Sequence, residues 1–151
     1  MRTALVTGAN RGIGLAIAVG LNRLTGIKVL LGSRRPEEGE NAAKALGVNA
    51  VAVPLDLSTP ETLRIHIKNI VSAHGAIDIL VNNAGVLEPG SLVEIDDEKL
   101  AYSLQVNFLA PLQLIRELVP GMSTRGYGRI VNVSSGWGPS RRASRGLQPT
   151  P

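Results

Sequence analysis

The sequence contains no cysteine, which excludes disulfide bonds and thiol chemistry and is compatible with a reducing compartment. Aromatic residues make up only 3% of the chain, so the core must be built from Val, Leu, Ile and Ala. No run of about 18 apolar residues is present, and no segment is therefore expected to span a membrane. The first residues do not form a signal-peptide pattern, because Asn10 and Arg11 interrupt the first apolar run. We expect a soluble, cytoplasmic protein.

The net charge of +4 is concentrated near the end of the sequence. Residues 139–151 contain three arginines and no acidic residue, which leaves 13 of the 16 basic side chains against 12 acidic ones elsewhere. The balanced charge over residues 1–138 offers no basic face for nucleic acid. We expect one folded domain over residues 1–138, a disordered basic tail over residues 139–151, and neither a nucleic-acid nor a membrane partner.

Five short apolar runs alternate with segments long enough to form helices. The predicted strands are Thr3–Thr7, Lys28–Gly32, Ala50–Pro54, Ile77–Asn82 and Arg129–Ser134. Their residues are continuously apolar rather than alternating, which is typical of parallel strands that are covered on both faces. The pattern predicts right-handed βαβ units in an α/β fold, a doubly wound parallel sheet.

Three of the intervening segments have helical features. Residues Ile13–Leu24 are apolar on nearly every side, which predicts a deeply packed helix. Residues 60–74 are amphipathic, and Ser58 with Glu61 forms the pattern of a capping box at their start. Acidic residues favour the start of a further helix over about residues 96–120.

A glycine-rich segment, Thr-Gly-Ala-Asn-Arg-Gly-Ile-Gly at residues 7–14, joins the first strand to the first helix. Its glycines allow a tight turn and a close approach to a pyrophosphate, whose charge then faces the N–H groups of the helix. A glycine-rich turn without a ligand is the alternative, but the position between a strand and an apolar helix favours dinucleotide binding. The predicted cofactor contacts in this segment are Gly8, Asn10, Arg11, Gly12, Ile13 and Gly14.

The spacing of these glycines, G-x-x-x-G-x-G led by Thr7, resembles the short-chain dehydrogenase/reductase family. Later segments match that family in order: Leu55-Asp56-Leu57 after the third strand, Asn82-Asn83-Ala84-Gly85 after the fourth, Gln105-Val106-Asn107 in a helix, and Ile130–Ser135 at the fifth strand. The resemblance implies an NAD(P)-binding Rossmann domain over residues 1–138, whose Rossmann-type doubly wound parallel sheet is incomplete, with about five strands in the order 3-2-1-4-5. It adds cofactor contacts at Asp56, Leu57, Asn83, Ala84 and Gly85.

The end of the second strand bears on the choice of nicotinamide cofactor. Residues 32–35 read Gly-Ser-Arg-Arg, and the nearest carboxylates, Glu37 and Glu38, come after the strand tip. A guanidinium can form a charge-assisted fork with a 2′-phosphate, which a carboxylate would repel. Arg34 is the predicted contact, with Arg11 as a second cation. We expect NADP(H) rather than NAD(H), and the alternative is that both arginines are solvated at a helix start.

The resemblance also implies a reaction, the interconversion of a small-molecule carbonyl and an alcohol by hydride transfer. Ser135 would orient the substrate oxygen, unless it is a simple turn residue, and Asn107 would help to hold a proton-relay water. The family's general acid is a Tyr in a Tyr-x-x-x-Lys motif about a dozen residues beyond that serine. Neither Tyr102 nor Tyr127 is followed by a lysine at that spacing, and no lysine follows Lys99. We expect the chain as written to be nearly inactive.

Three interpretations of the function stay open. The chain is an NADP(H)-dependent oxidoreductase resembling carbonyl reductases, a non-catalytic NADP-binding or regulatory protein, or a truncated product without function. The family pattern stops soon after Gly136, which we interpret as a C-terminal truncation. One possible coding sequence for residues 142–151 reads GLQGPAAYA in another frame, which resembles the segment before the family's tyrosine, so an out-of-frame tail is a hypothesis. The family's long helices beside the fifth strand imply a homo-oligomer.

Overall fold

Five parallel strands form one sheet in the order β3-β2-β1-β4-β5, as the sequence predicts. The structure is a computed structural model that describes residues 1–88 and 93–135. The strands are β1 (Arg2–Thr7), β2 (Ile27–Ser33), β3 (Ala50–Pro54), β4 (Ile79–Asn82) and β5 (Arg129–Asn132). The helices are α1 (Gly12–Asn22), α2 (Pro36–Leu46), α3 (Pro60–His74), α4 (Asp97–Leu104) and α5 (Ala110–Thr124), with a π-helical turn (Gln105–Leu109) between α4 and α5. The predicted tail and the end of the predicted domain, residues 136–151, lie outside the described residues.

The sheet is covered on both faces by helices, as the continuous apolar strands predict. On one face, Leu5, Leu30 and Leu80 pack in a cluster with Leu63 and Ile67 of α3 and Leu114 of α5. On the other face, Val6, Val29, Leu31 and Val81 pack with Ala18 of α1 and with Ala42 and Ala43 of α2. Neighbouring residues of one strand thus enter opposite layers, because successive side chains of a strand point to opposite faces.

The fifth strand departs from the expectation of two covered faces. All four residues of β5 are exposed, and Ile130 and Val131 keep 37% and 48% of their surface accessible. The strand lies at the edge of the sheet and pairs only with β4 among the described strands. The predicted strand over Arg129–Ser134 is therefore shorter and less covered than its composition suggests.

The helices correct three further expectations. Only Gly14 and Ala18 of α1 are buried and Ile13 is 66% exposed, so the prediction of a deeply packed helix is wrong. Small residues bring one face of α1 against the sheet, and the larger apolar side chains lie at its flanks. Helix α3 is capped by Thr59 rather than Ser58, since Thr59 Oγ1 accepts a hydrogen bond from the Thr62 amide at 3.3 Å.

The predicted helix over residues 96–120 is divided and longer than expected. Asp96 caps α4 by accepting from the Lys99 amide, which lowers the pKa of the Asp96 carboxyl. After the π-helical turn, α5 continues through Pro120 to Thr124.

Within residues 1–88 and 93–135, no helix is both long and apolar enough to cross a bilayer. In the same ranges, no cluster of three acidic, histidine or cysteine side chains is placed to hold a metal ion.

Candidate functional site

A cavity of about 380 Å³ lies at the carboxyl ends of the first four strands. The chain leaves β1 toward β2 on one side and returns to β4 on the other, so this edge contains the point where the strand order reverses. Open α/β sheets bind ligands at such a point. Every predicted cofactor contact lines the cavity: Gly8, Asn10, Arg11, Gly12, Ile13, Gly14, Arg34, Asp56, Leu57, Asn83, Ala84 and Gly85. The fold thus brings these residues together, although their contact with a cofactor stays a prediction.

The turn between β1 and α1 requires glycine at two kinds of position. Gly8 and Gly12 have φ angles of +63° and +56°, a region that other residues rarely adopt. Gly14 has an ordinary φ, but a Cβ there would overlap the carbonyl oxygen of Gly8 and the side-chain nitrogen of Asn83. Gly8 and Gly12 allow the chain to turn, and Gly14 lets α1 begin directly against the loops that follow β1 and β4.

Thr7 and Asn83 connect the two loops on either side of the reversal point. Thr7 Oγ1 accepts hydrogen bonds from the amides of Asn83 and Ala84 at 3.0 and 2.9 Å. In return, Asn83 Nδ2 donates to the carbonyl oxygens of Thr7 at 3.0 Å and Gly8 at 3.3 Å. The side-chain nitrogen of Asn83 therefore holds the turn after β1, and Asn83 itself lines the cavity.

The start of α1 faces this cavity, and the positive end of its helix dipole has no capping side chain in the described chain. Arg11 occupies the N-cap position, and neither a capping side-chain bond nor an acidic first-turn residue is found there in the described chain. The first N–H groups of a helix lack partners within the helix and carry the positive end of its dipole. A Cβ on Gly12 would meet nothing within 4 Å, so the space beside these donors is open. The donor set and the open space fit a pyrophosphate.

The cations at the tip of β2 are in different environments. Arg34 donates from Nη1 to the Tyr102 hydroxyl at 3.0 Å, which is not a carboxylate and does not pair with its charge. Arg35 instead forms an ion pair with Glu38 at 2.6 Å. Asn10 Nδ2 donates to the second oxygen of the same carboxylate at 2.6 Å. Among the described residues at this tip, Arg35 is thus paired with a carboxylate and Arg34 is not, and the contact of Arg34 with a phosphate stays a prediction.

Glu38 lies on the cavity wall, which the sequence analysis missed. The first turn of α2 returns its side chain to the strand tip, since it stands three positions after Arg35 on a helix. The hydrogen bond from Arg35 holds the pKa of Glu38 below its usual value, with smaller contributions from Asn10 and Arg11. Its carboxylate is already shared between Asn10 and Arg35. The i, i+3 spacing after a strand end was the signal that could have located it.

The loop after β3, helix α4 and the π-helical turn contribute further wall residues. Leu55, Asp56, Leu57 and Ser58 line the cavity in succession. The remaining lining residues that the sequence analysis did not select are Ser33, Arg35, Val86, Tyr102 and Val106. Tyr102, which lacks the lysine of the Tyr-x-x-x-Lys motif, lies on α4 with its hydroxyl against Arg34.

The two predicted catalytic residues lie beside the cavity rather than on its wall. Asn107 stands in the π-helical turn, where its carboxamide accepts from the Val86 amide at 2.9 Å and donates to the Val86 carbonyl at 2.8 Å. Both ends of the amide thus hold the backbone that follows Gly85. Ser135 is exposed and follows β5, so it emerges at the same edge of the sheet as the cavity. Their roles in a reaction stay predictions.

Comparisons with known proteins agree with this geometry. The sequence matches the family described as short chain dehydrogenase over residues 2–146. The 3-oxoacyl-(acyl-carrier-protein) reductase FabG of Vibrio cholerae is 36% identical over 135 residues, which cover 89% of this chain and 54% of that protein.

Two solved structures show the same fold with a cofactor bound. The L-sorbose reductase from Gluconobacter frateurii, in complex with NADPH and L-sorbose, has a TM-score of 0.80 and 37% identity, covering 87% of this chain and 51% of its own. A metagenomic short-chain oxidoreductase in complex with NADP has a TM-score of 0.85 and 36% identity, covering 92% and 64%. The chain spans about half the length of the curated relatives that it matches.

Proposed function

The chain belongs to the short-chain dehydrogenase family of oxidoreductases, and we propose that its cavity binds NADP(H) for the interconversion of a carbonyl and an alcohol. One observation carries the cofactor assignment. The glycine turn, the uncapped start of α1 and the Arg34 guanidinium all face the same cavity. Two structural neighbours, which were solved with NADPH and NADP, support the choice of the phosphorylated cofactor.

The chain's own groups divide the work of holding the cofactor. The amides at the start of α1 receive the pyrophosphate, because they are donors at the positive end of a helix dipole. Arg34 takes the 2′-phosphate with the edge of its guanidinium that does not contact Tyr102. Glu38 does not compete for the ribose hydroxyls, because Asn10 and Arg35 already donate to its carboxylate.

The chemistry at the nicotinamide end depends on groups beside the cavity. When bound, the nicotinamide supplies the hydride. We propose that Ser135 orients the substrate oxygen, and that Asn107 holds the Val86 backbone so that the nicotinamide end of the cavity keeps its shape. These 151 residues contain no Tyr-x-x-x-Lys motif. Because general acid catalysis contributes about 10²- to 10⁴-fold to a rate, we propose that they bind the cofactor with little turnover of their own.

A titration followed by an assay tests these proposals. NADPH is titrated with the purified chain while the fluorescence of the nucleotide is recorded. Reduction of small ketones and aldehydes is then measured at saturating NADPH. We expect saturable binding and slow ketone reduction that still exceeds the rate with free NADPH. Absence of binding contradicts the cofactor assignment, and rapid reduction contradicts the expected low turnover.

The second candidate function is a non-catalytic NADP-binding protein that senses or sequesters the cofactor. The absence of a Tyr-x-x-x-Lys motif from these 151 residues favours this candidate, because the general acid is then missing while the residues that line the cavity are present. The two candidates differ in one observable property. The family function requires measurable ketone reduction above the rate with free NADPH, whereas the non-catalytic one requires binding alone.

We further propose that the protein is cytoplasmic and forms a homo-oligomer through the surface of α4, the π-helical turn and α5. Leu104, Phe108 and Leu109 are 51%, 61% and 46% exposed on this surface, which is a large apolar area for a helical segment in water. Sedimentation velocity should show a species of at least twice the chain mass, and a monomer at all accessible concentrations contradicts the proposal.

Replacing Arg34 with alanine should change cofactor preference more than overall affinity. Charge-assisted hydrogen bonds contribute about 1.5–3 kcal/mol, so we expect NADPH to bind about 10- to 100-fold more weakly and NADH to be unaffected. Dissociation constants for both cofactors measure the effect. Arg64→Ala is the matched control, because that arginine lies on α3, is exposed and pairs with Glu117 away from the cavity. Equal losses for NADPH and NADH on Arg34→Ala would show that Arg34 does not read the 2′-phosphate.

A further inference from the structure

The loop between β3 and α3, residues 55–59, forms one wall of the cavity and is held from three sides. On the β2 side, its Leu55 amide donates to the Ser33 carbonyl at 2.9 Å. From the π-helical turn, Gln105 Nε2 donates to the Leu57 carbonyl at 3.1 Å. From α3, His66 Nδ1 accepts a hydrogen bond from the Asp56 amide at 3.0 Å. The position of this wall therefore depends on groups that are not themselves part of it.

His66 differs from the other two supports because its hydrogen bond depends on its protonation state. An amide N–H can only donate, so Nδ1 must offer a lone pair and the ring must be neutral with its proton on Nε2. A protonated imidazole carries N–H groups at both positions and cannot accept. The Ser33 carbonyl and the Gln105 amide do not titrate. Acidification thus removes one support of the loop and leaves the others intact.

We propose that His66 is a positioning residue, whose neutral ring holds the 55–59 loop in the form that binds the adenine end of NADP(H) and releases it on protonation. This inference rests on the proposed function of the cavity. His66 is half-buried on α3 and does not line the cavity, so it acts through the Asp56 backbone rather than by touching the cofactor.

Other titratable groups lie in the loop and around α3. The Asp56 carboxylate accepts from the Ser58 amide at 2.9 Å, within the loop itself. On the side of α5, Arg64 pairs with Glu117. His74, at the end of α3, contacts Lys28 of β2 at 3.4 Å, and burial together with the Lys28 charge lowers its pKa. That second histidine lies far along the helix from the loop and is retained in every variant below.

Two substitutions distinguish loss of the hydrogen-bond acceptor at position 66 from protonation of the ring. Asparagine carries an oxygen on Cγ, where histidine carries Nδ1, so His66→Asn can accept from the Asp56 amide at any pH. His66→Leu has a similar volume and no acceptor. At pH 8 we expect His66→Asn to bind NADPH like the parent chain and His66→Leu to bind about 3- to 10-fold more weakly, the effect of one lost hydrogen bond.

The pH profile gives the sharper result. Once acid protonates the His66 ring, the affinity of the parent chain for NADPH should fall toward that of His66→Leu. The difference between the parent chain and His66→Asn should widen, because titration of the 2′-phosphate and of His74 is common to both. Parallel profiles for these two proteins would overturn the inference.

Amide hydrogen exchange at Asp56 provides a readout that needs no cofactor. At pH 8 the Asp56 amide should exchange about 3- to 10-fold faster in His66→Leu than in the parent chain or His66→Asn. Equal exchange rates in the three proteins contradict the positioning role. Failure of the parent chain to bind NADPH at pH 8 would instead reject the proposed function, and the exchange rates would still decide whether His66 holds the loop.

Discussion

Replacing Gly14 with alanine is expected to abolish NADPH binding and to lower the free energy of unfolding by about 3 kcal/mol. The added methyl group would overlap the Gly8 carbonyl oxygen, which is backbone, and the Asn83 side-chain nitrogen, which already donates to two carbonyls. Neither neighbour can move without displacing the turn that faces the cavity. Helix α1 must therefore shift away from the β1 and β4 loops, taking its first amides out of position.

Gly20 provides the matched control on the same helix. A Cβ at Gly20 meets nothing within 4 Å. Gly20→Ala should therefore stabilise the protein by about 0.5–1 kcal/mol, because alanine lowers the conformational entropy of the unfolded chain. Urea unfolding and NADPH titration of both variants measure the contrast. Similar effects of the two substitutions would mean that Gly14 is retained for helix flexibility rather than for close packing.

Replacing Thr7 with valine is expected to lower the free energy of unfolding by about 2–4 kcal/mol and to weaken NADPH binding at least as much as Arg34→Ala does. Valine matches threonine in shape but has no acceptor, so the amides of Asn83 and Ala84 would lose their partner. Thr7 is 1% exposed, and water cannot readily take the place of its hydroxyl. Each unsatisfied donor in such a position costs about 1–3 kcal/mol.

Thr7→Ser tests whether the hydroxyl is responsible. Serine retains the acceptor and removes only a methyl group, which should cost about 1 kcal/mol or less and preserve cofactor binding. Both variants are compared by urea unfolding and by fluorescence titration with NADPH. If valine is tolerated as well as serine, the two accepted hydrogen bonds do not hold the β4 loop.

The fold and the location of the cavity follow from the sequence for clear physical reasons. Parallel strands that are covered on both faces must be continuously apolar, so the runs around Leu5, Leu30 and Leu80 were visible without a structure. Once the strands are parallel, all their carboxyl ends meet at one edge, and the residues after each strand must lie close together. The match of Thr7–Gly14 and Asn83–Gly85 to a known family then gave the predicted cofactor contacts, which line one cavity in the structure.

The contacts between elements could not be read in the same way. The burial of α1 is decided by small residues rather than by its many large ones, so its apolar composition was misleading. Ser58 and Thr59 are both suitable caps, and the loop geometry, in which the Ser58 amide turns toward Asp56, selects Thr59. The support that His66 gives to Asp56 crosses ten positions and depends on ring orientation. Periodicity carries no information about such a contact.

The link between Thr7 and Asn83 joins residues 76 positions apart, which has a consequence for folding kinetics. A contact of such long sequence separation requires closure of a loop that contains β2, β3 and the intervening helices, and the entropic cost of this closure slows its formation. The cavity is complete only when this closure has occurred. A ligand that binds the closed form alone stabilises it by mass action, about 2.7 kcal/mol at a hundred times its dissociation constant. The cofactor would thus act on this chain as a folding ligand, whatever the rate of the chemistry.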